Sequence, residues 1–162
     1  MTSLDQKLLQ EYTARISQAS KVDLVIITYE LIISKLEEAV ENYQDGDMDL
    51  FVSSLKKAQQ FLAHKIGSLN FEYKISYDLL SLYLYINDNI NRSIFKLDPK
   101  ALKNSIPILI KIKSGFEGIK DEDKSGSVMK NTQTIYAGLT YGKNSLNELS
   151  VDPDNRNRGY TI

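Results

Sequence analysis

Apolar residues recur through residues 22–43 in alternating steps of four and three. They are Val22, Ile26, Tyr29, Ile33, Leu36, Val40 and Tyr43. A seven-residue repeat of this kind places every member on one face of an α-helix. Ser20 is a good N-cap for this helix, and Asp45-Gly46-Asp47 ends the run. The pattern therefore predicts a long amphipathic helix that begins near Ser20.

Three further segments carry the same pattern. A second helix is predicted from about Asp47, a third from about Ile75, and a fourth after Asp98-Pro99, where an acidic cap precedes a proline. Their apolar stripes are Phe51, Leu55, Ala58, Leu62, Ile66 and Leu69; Ile75, Leu79, Leu82, Ile86 and Ile90; and Leu102, Ile106, Leu109, Ile112, Phe116 and Ile119. Four such helices with short connections predict an all-α fold, an antiparallel up-down four-helix bundle.

The two ends of the chain differ from this helical region. Residues 4–12 predict a short N-terminal helical segment that leans on the bundle. Because glycine becomes frequent after Lys120, we predict a bundle domain over residues 1–120 and a C-terminal tail over residues 121–162. Residues 134–141 alternate with a period of two, so the tail is expected to be disordered or to lie extended across the bundle surface.

Charge and composition exclude several classes of function. The 20 basic and 21 acidic residues give a net charge of -1, so no summed positive field exists to hold nucleic acid. The chain has no cysteine and a single histidine, His64, which excludes disulfides, thiolate ligands and sites that need two histidines. No secretory signal and no uninterrupted apolar segment of about 18 residues is present, which predicts a soluble intracellular protein without membrane insertion.

Two sequence patterns partly match known functional sites, a phosphate-binding loop and a metal site. Residues 137–144, AGLTYGKN, match a phosphate-binding loop except at Asn144, which replaces the hydroxyl that would hold Mg²⁺, and too little chain follows for the rest of a nucleotide-binding fold. Glu37, Glu38 and Glu41 could suggest a metal site, but no Glu-x-x-His pair accompanies them. We therefore expect no nucleotide, no metal, no cofactor and no catalytic residue.

A surplus of apolar residues lies outside the four stripes. On the first helix these are Leu24, Val25, Ile27, Leu31 and Ile32, and on the third they are Tyr77, Leu80, Tyr83, Leu84 and Tyr85. Thicker core packing would explain them, and so would a groove that awaits an amphipathic partner. The abundance of tyrosine favours the groove, because a tyrosine ring tolerates both exposure and burial.

Two blocks of sequence are informative when taken together. The first is Tyr12-x3-Ile16-x2-Ala19-Ser20-x3-Leu24-x4-Tyr29, and the second is Ser68-Leu69-Asn70-Phe71-Glu72-Tyr73 followed by Leu82-Tyr83-Leu84-Tyr85. They resemble signatures of the bacterial flagellin-specific export chaperones, the FliS family, over about residues 8–120. The sequence departs from that pattern where Lys21 replaces proline, Glu30-Leu31 replaces Asp-Gly, Lys74-Ile75 replaces Gly-Gly and Phe116 replaces a common tryptophan.

The resemblance implies a helical bundle that holds the aggregation-prone C-terminal segment of flagellin in the cytosol and then meets the flagellar export gate. Such a chaperone needs no active site. In this family the stretch before the first long helix covers part of the binding surface, and Tyr12 and Ile16 are the matching positions. We expect partner binding at Tyr12, Ile16, Leu24, Ile27, Leu31, Tyr77, Leu80 and Leu84. The alternative is a generic helical adaptor that binds another amphipathic partner.

Overall fold

A computed structural model of the chain describes residues 3–124 and 126–128, and every regular element within them is helical. The helices are α1 (Ser3–Gln18), α2 (Lys21–Gln44), α3 (Met48–Gly67), α4 (Ile75–Lys96) and α5 (Leu102–Ile119), with short 3₁₀ turns at Pro99–Ala101 and Lys120–Glu122. The predicted all-α class is confirmed. The chain divides into two compact units, Val22–Glu122 and a second unit from Met1–Lys21 and Asp123–Ile162.

Local signals set the helix ends where the sequence predicted them. The Asp47 side chain accepts a hydrogen bond of 3.0 Å from the Leu50 N–H and so caps α3. Gly46, in the turn before it, has a φ of 81°, a conformation that glycine adopts without strain. The Asp98 side chain accepts a bond of 2.8 Å from the Lys100 N–H, and Pro99 follows in the first turn.

The core of the Val22–Glu122 unit is built mainly from the predicted stripes. Its fully buried large side chains are Tyr29, Ile32, Leu36, Phe51, Leu55, Leu62, Tyr83, Ile86, Ile90, Leu102 and Leu109. Tyr83, which the sequence analysis counted among the surplus apolar residues, belongs to this core, in agreement with the alternative of thicker core packing. Ile75 corrects the sequence analysis, because this first residue of α4 is 64% exposed although the stripe placed it in the core.

Polar side chains join the helices of this unit. Ser54 of α3 is buried and donates a hydrogen bond to Glu38 of α2. Gln59 of α3 donates to Asn91 of α4 at 2.7 Å. In the core between α4 and α5, the Asn89 amide donates to the Ser105 hydroxyl at 3.0 Å. Because a buried polar group needs a partner, such pairs favour one packing of the helices over others.

The second unit contains α1, which is longer than predicted. Its 16 residues replace the expected turn or two, and the Thr13 hydroxyl bonds back to the Leu9 carbonyl at 2.7 Å. The predicted segments 134–141 and 137–144 lie outside the described residues. Within the described part of the tail, the Val128 N–H donates to the Ala19 carbonyl at 2.9 Å, and Ser127 donates to the Ser17 carbonyl at 3.2 Å.

Candidate functional site

The connection between α3 and α4 holds bulky apolar side chains at the surface. Tyr73 is 65% exposed and Tyr77 is 57% exposed, and the ring of Tyr77 lies 5.0 Å from that of Phe71. The Ser76 hydroxyl is buried and donates to the Asn70 carbonyl at 2.6 Å, which ties the connection to the first turn of α4. The sequence therefore places an ordered aromatic surface at this end of α4.

An apolar groove of about 350 Å³ lies between the start of α4 and the end of α5. Its lining residues are Ile75, Leu79, Lys111, Ile112, Gly115, Phe116 and Ile119. Lys111 is the one charged residue among them. The Phe116 ring stacks on the buried Tyr29 ring with 5.7 Å between centroids, so one wall of the groove is anchored in the core. We call this site the α4–α5 groove.

The predicted partner-binding residues of α4 share one face of that helix. Tyr77 and Leu84 are exposed, and Leu80 between them is half-buried. Their spacing of three and four residues keeps them in one row. The row lies on another side of α4 from Ile75 and Leu79, which line the groove, because residues two positions apart do not share a helix face. The role of this row in binding stays a prediction.

The predicted residues of α2 are less accessible. Leu24 and Leu31 are half-buried, whereas Ile27 is buried with 3% of its surface exposed. The preceding residue, Ile26, is buried as well. Because adjacent residues of a helix point about 100° apart, a wide part of the surface of α2 is covered here. The expectation of a surface row through Ile27 is not met in this conformation. In the second unit, Tyr12 is half-buried and Ile16 is exposed.

Sequence reasoning missed several residues of the groove. It assigned Ile112, Phe116 and Ile119 to the core stripe of the fourth helix. Ile112 and Phe116 do pack against the core, but all three also line the groove, and Ile119 is exposed. It gave Phe71 and Tyr73 no role in binding. Their signal was the placement of two large aromatic residues in a stretch without helical periodicity, where they could not belong to a stripe.

A polar cluster lies in the core next to the groove. The Tyr29 and Tyr83 hydroxyls share a hydrogen bond, and burial raises the pKa of both phenols. The Lys65 ammonium lies 4.9 Å from the centre of the Tyr29 ring, and its burial lowers the pKa of that group. In the part of the chain that the structure describes, Lys65 forms no ion pair.

The site has the chemistry of a binding surface. The groove is lined almost entirely by carbon and can remove an apolar side chain of a partner from water. Among the described residues, no group of three or more acidic or histidine side chains is placed to hold a metal ion. None of the helices in the described ranges has the length and apolar character needed to cross a membrane.

Comparison with known proteins relates most of this chain to one family. A family model described as "Flagellar protein FliS" matches residues 5–123. The matched range is well over half of the chain and includes α2–α5 and every residue that lines the α4–α5 groove. Among curated proteins no match is found.

Proposed function

The chain belongs to the FliS family of flagellar proteins, and we propose that it is a cytoplasmic export chaperone for flagellin. It binds the C-terminal segment of flagellin, prevents premature polymerisation, and delivers the bound chain to the flagellar export apparatus. The single observation that supports this most strongly is the α4–α5 groove, whose apolar lining stays open to solvent. A monomeric protein exposes such a surface at a cost unless a partner covers it.

An amphipathic helix fits this groove by its physical character. Apolar side chains of the helix enter between Ile75, Leu79 and Phe116, and each buried side chain contributes about 1.5–3 kcal/mol. Lys111 on the lining offers a cation to an acidic residue on the partner's polar face. Because the flagellin segment orders only on binding, part of this energy is offset, and the complex stays releasable at the export gate.

A second proposed contact row on α4 consists of the exposed Tyr77 and Leu84 with Leu80 between them, on another side of the helix from Ile75 and Leu79. Leu24 and Leu31 on α2, and Tyr12 and Ile16 on α1, are further proposed contacts. Ile27 joins them only when binding changes the conformation, since it is buried in the free chain. No cofactor, nucleotide or nucleic acid enters this function.

We also propose that α2–α5 form an up-down four-helix bundle within a domain of residues 1–120, with residues 121–162 as a tail. Contacts between α2 and α3 support opposite directions for these two helices. Tyr43 near the end of α2 contacts Phe51 near the start of α3, with 5.5 Å between ring centroids. Tyr29, in the first half of α2, contacts Lys65 near the end of α3.

A binding experiment tests the function. The purified chain is titrated with full-length flagellin and with flagellin that lacks its last ~40 residues, a length of two to three short helices. We expect binding of the full-length protein alone. If both forms bind equally, the chain is a generic helical adaptor, and if neither binds, the chaperone proposal is wrong.

A matched pair of variants locates the surface. Ile75→Asp places a charge on the apolar lining of the groove and should weaken flagellin binding at least about tenfold, since a partner's apolar side chains would remove that carboxylate from water. Leu50→Asp makes the same change at a similarly exposed residue of α3 away from the groove, and it should leave the affinity within about twofold. Equal effects of the two changes would contradict this placement of the surface.

A further inference from the structure

A second surface surrounds the 3₁₀ turn at Pro99–Ala101, at the far end of α4 from the groove. Two clefts meet there, and both are lined by Asp98 and Lys100. The α4 helix runs from Ile75 at the first site to Lys96 at this one, a distance of about 31 Å at the rise of an α-helix. We call the two clefts together the Asp98 surface. It lies apart from the α4–α5 groove.

One of the two clefts is mainly apolar. It encloses about 460 Å³ between the end of α2 and the start of α5, where Val40, Leu102 and Ile106 form its apolar lining with Tyr43. Lys100 and Lys103 also line this cleft and are exposed. The cleft can therefore hold apolar side chains of a partner beside two cationic groups.

The other cleft is polar and carries positive charge. It encloses about 320 Å³, and its charged lining is Arg92, Lys96, Asp98 and Lys100. Asp98 is committed to the Lys100 N–H, and Arg92 forms an ion pair of 2.8 Å with Asp88. Neither Lys96 nor Lys100 forms an ion pair with any residue that the structure describes. Two cations without carboxylate partners thus face one cleft.

The floor of the polar cleft is fixed before any ligand arrives. Asn89 lines it, is buried, and is held by its hydrogen bond to Ser105. Leu97, which ends α4, has a φ of 51°, and its N–H bonds to the Ser93 carbonyl. Because this turn sets the direction in which Asp98 leaves the helix, the backbone positions of Lys96 and Lys100 are set before a partner binds.

We propose that the Asp98 surface binds an acidic amphipathic helix of a second protein partner. The apolar cleft takes the partner's apolar face, and Lys96, Lys100 and Lys103 meet its carboxylates. Charge complementarity favours this occupant, because the chain as a whole carries a net charge of -1 while this surface presents unpaired cations. That the acidic helix binds this surface while flagellin fills the α4–α5 groove rests on the proposed function. That the acidic helix binds this surface at all does not depend on it.

A synthetic peptide provides the test without flagellin. The probe is a labelled helical peptide of about 18 residues, with leucines every three to four positions and glutamates between them. It is titrated against the full chain by fluorescence anisotropy at low and high salt. We expect saturable binding that weakens with salt. A peptide with glutamine for every glutamate, and one with serine for every leucine, should each bind at least about tenfold more weakly, since each loses one of the two complementary features.

Matched charge variants place the peptide on the chain. Lys96→Gln/Lys100→Gln should weaken peptide binding about tenfold, the sum of two charge contacts of ordinary strength. Lys56→Gln/Lys57→Gln removes the same charge from exposed residues of α3 and should change binding less than twofold. Melting temperatures confirm that both variants fold.

Several results would overturn the proposal. These are equal binding of the acidic and glutamine peptides, equal effects of the two double variants, or no binding by the unaltered chain. Displacement of the peptide by millimolar inorganic phosphate would show a simple anion site instead. Flagellin is absent from every peptide titration. A negative peptide titration therefore does not affect the flagellin experiment, and a negative flagellin experiment does not affect the peptide result.

Discussion

The hydroxyl groups of Tyr29 and Tyr83 satisfy each other through a hydrogen bond in the core. The two residues are 54 positions apart in the sequence, so this bond ties α2 to α4. Both side chains are buried, and their ring centroids lie 6.4 Å apart. A buried hydroxyl without a partner costs free energy, and each tyrosine here removes that cost for the other.

This pairing predicts a double-mutant cycle. Tyr29→Phe alone and Tyr83→Phe alone each leave one hydroxyl buried without its partner, and each should lower the free energy of unfolding by about 1–3 kcal/mol. The double variant removes both hydroxyls and should be destabilised by less than the sum of the single changes. Urea unfolding followed by circular dichroism measures all four proteins. Strictly additive losses would show that the two hydroxyls contribute independently.

A lysine in the same cluster predicts a gain in stability. Lys65 is 7% exposed, and burial holds the pKa of its ammonium below the ordinary value of 10.5. Lys65→Met keeps the length of the side chain and removes the buried charge, so it should raise the free energy of unfolding at pH 7 by roughly 1 kcal/mol. The contact with the Tyr29 ring offsets part of this gain. Lys56→Met on the exposed side of α3 is the control and should change little.

The sign of the pH dependence follows from the lowered pKa of Lys65. Below its folded pKa the group is charged in both states, and the folded chain bears the full cost of burial. As the pH rises toward 10.5, the folded chain releases the proton first, so Lys65 adds stability. The raised pKa values of Tyr29 and Tyr83 act in the opposite direction above pH 10, where the unfolded phenols ionise first. The free energy of unfolding of the unaltered chain should therefore rise between pH 7 and pH 9.5 relative to that of Lys65→Met. Urea unfolding of both proteins at the two pH values measures this difference.

Helix ends were predictable from the sequence because their signals are local. Asp47 caps α3 and Asp98 with Pro99 precedes α5, as those residue types suggest. The sequence left open whether Tyr83 belongs to the core or to a groove, since its burial depends on Tyr29 in another helix. The groove was not predicted either. Periodicity shows which residues share a helix face, but it does not show where two packed helices leave a space between them.

The length of α1 could have been predicted. Leu8, Tyr12 and Ile16 recur every four residues, which is a helical spacing. Charged residues between them, such as Glu11 and Arg15, hid the pattern, although the Arg15 guanidinium lies 5.4 Å from the centre of the Tyr12 ring in the helix that forms.

Ser93 of α4 and Ser105 of α5 should respond oppositely to substitution. Ser105→Ala removes the partner of the buried Asn89 amide and should cost about 1–3 kcal/mol of stability. The Ser93 hydroxyl is buried, and it has no hydrogen-bond partner among the residues that the structure describes. Ser93→Ala should therefore be neutral or stabilising by up to about 1 kcal/mol. Thermal and urea unfolding compare the two, and a large loss in Ser93→Ala would mean that its hydroxyl has a partner after all.

The left-handed conformation of Leu97 predicts a stabilising glycine. A φ of 51° strains a leucine by about 1 kcal/mol, whereas glycine adopts it freely. Leu97→Gly should therefore raise the melting temperature slightly. Ser81→Gly, at an exposed position well inside α4, should lower it, because glycine weakens a helix interior by about 1 kcal/mol. The same loss in both variants would argue against strain at Leu97.

The half-buried face of α2 separates stability from binding. Ile27→Asp places an unpaired carboxylate at a position that is 3% exposed, and it should destabilise the fold by several kcal/mol, at least about 3. Leu31→Gln, one turn later and half-buried, should cost about 1 kcal/mol and leave a folded chain whose affinity for flagellin can be measured. We expect that affinity to fall at least about threefold if this face contacts the partner. Urea unfolding and isothermal titration calorimetry on both variants decide the outcome. A folded Leu31→Gln chain with unchanged affinity would remove this part of α2 from the binding surface and leave the α4–α5 groove as its main site.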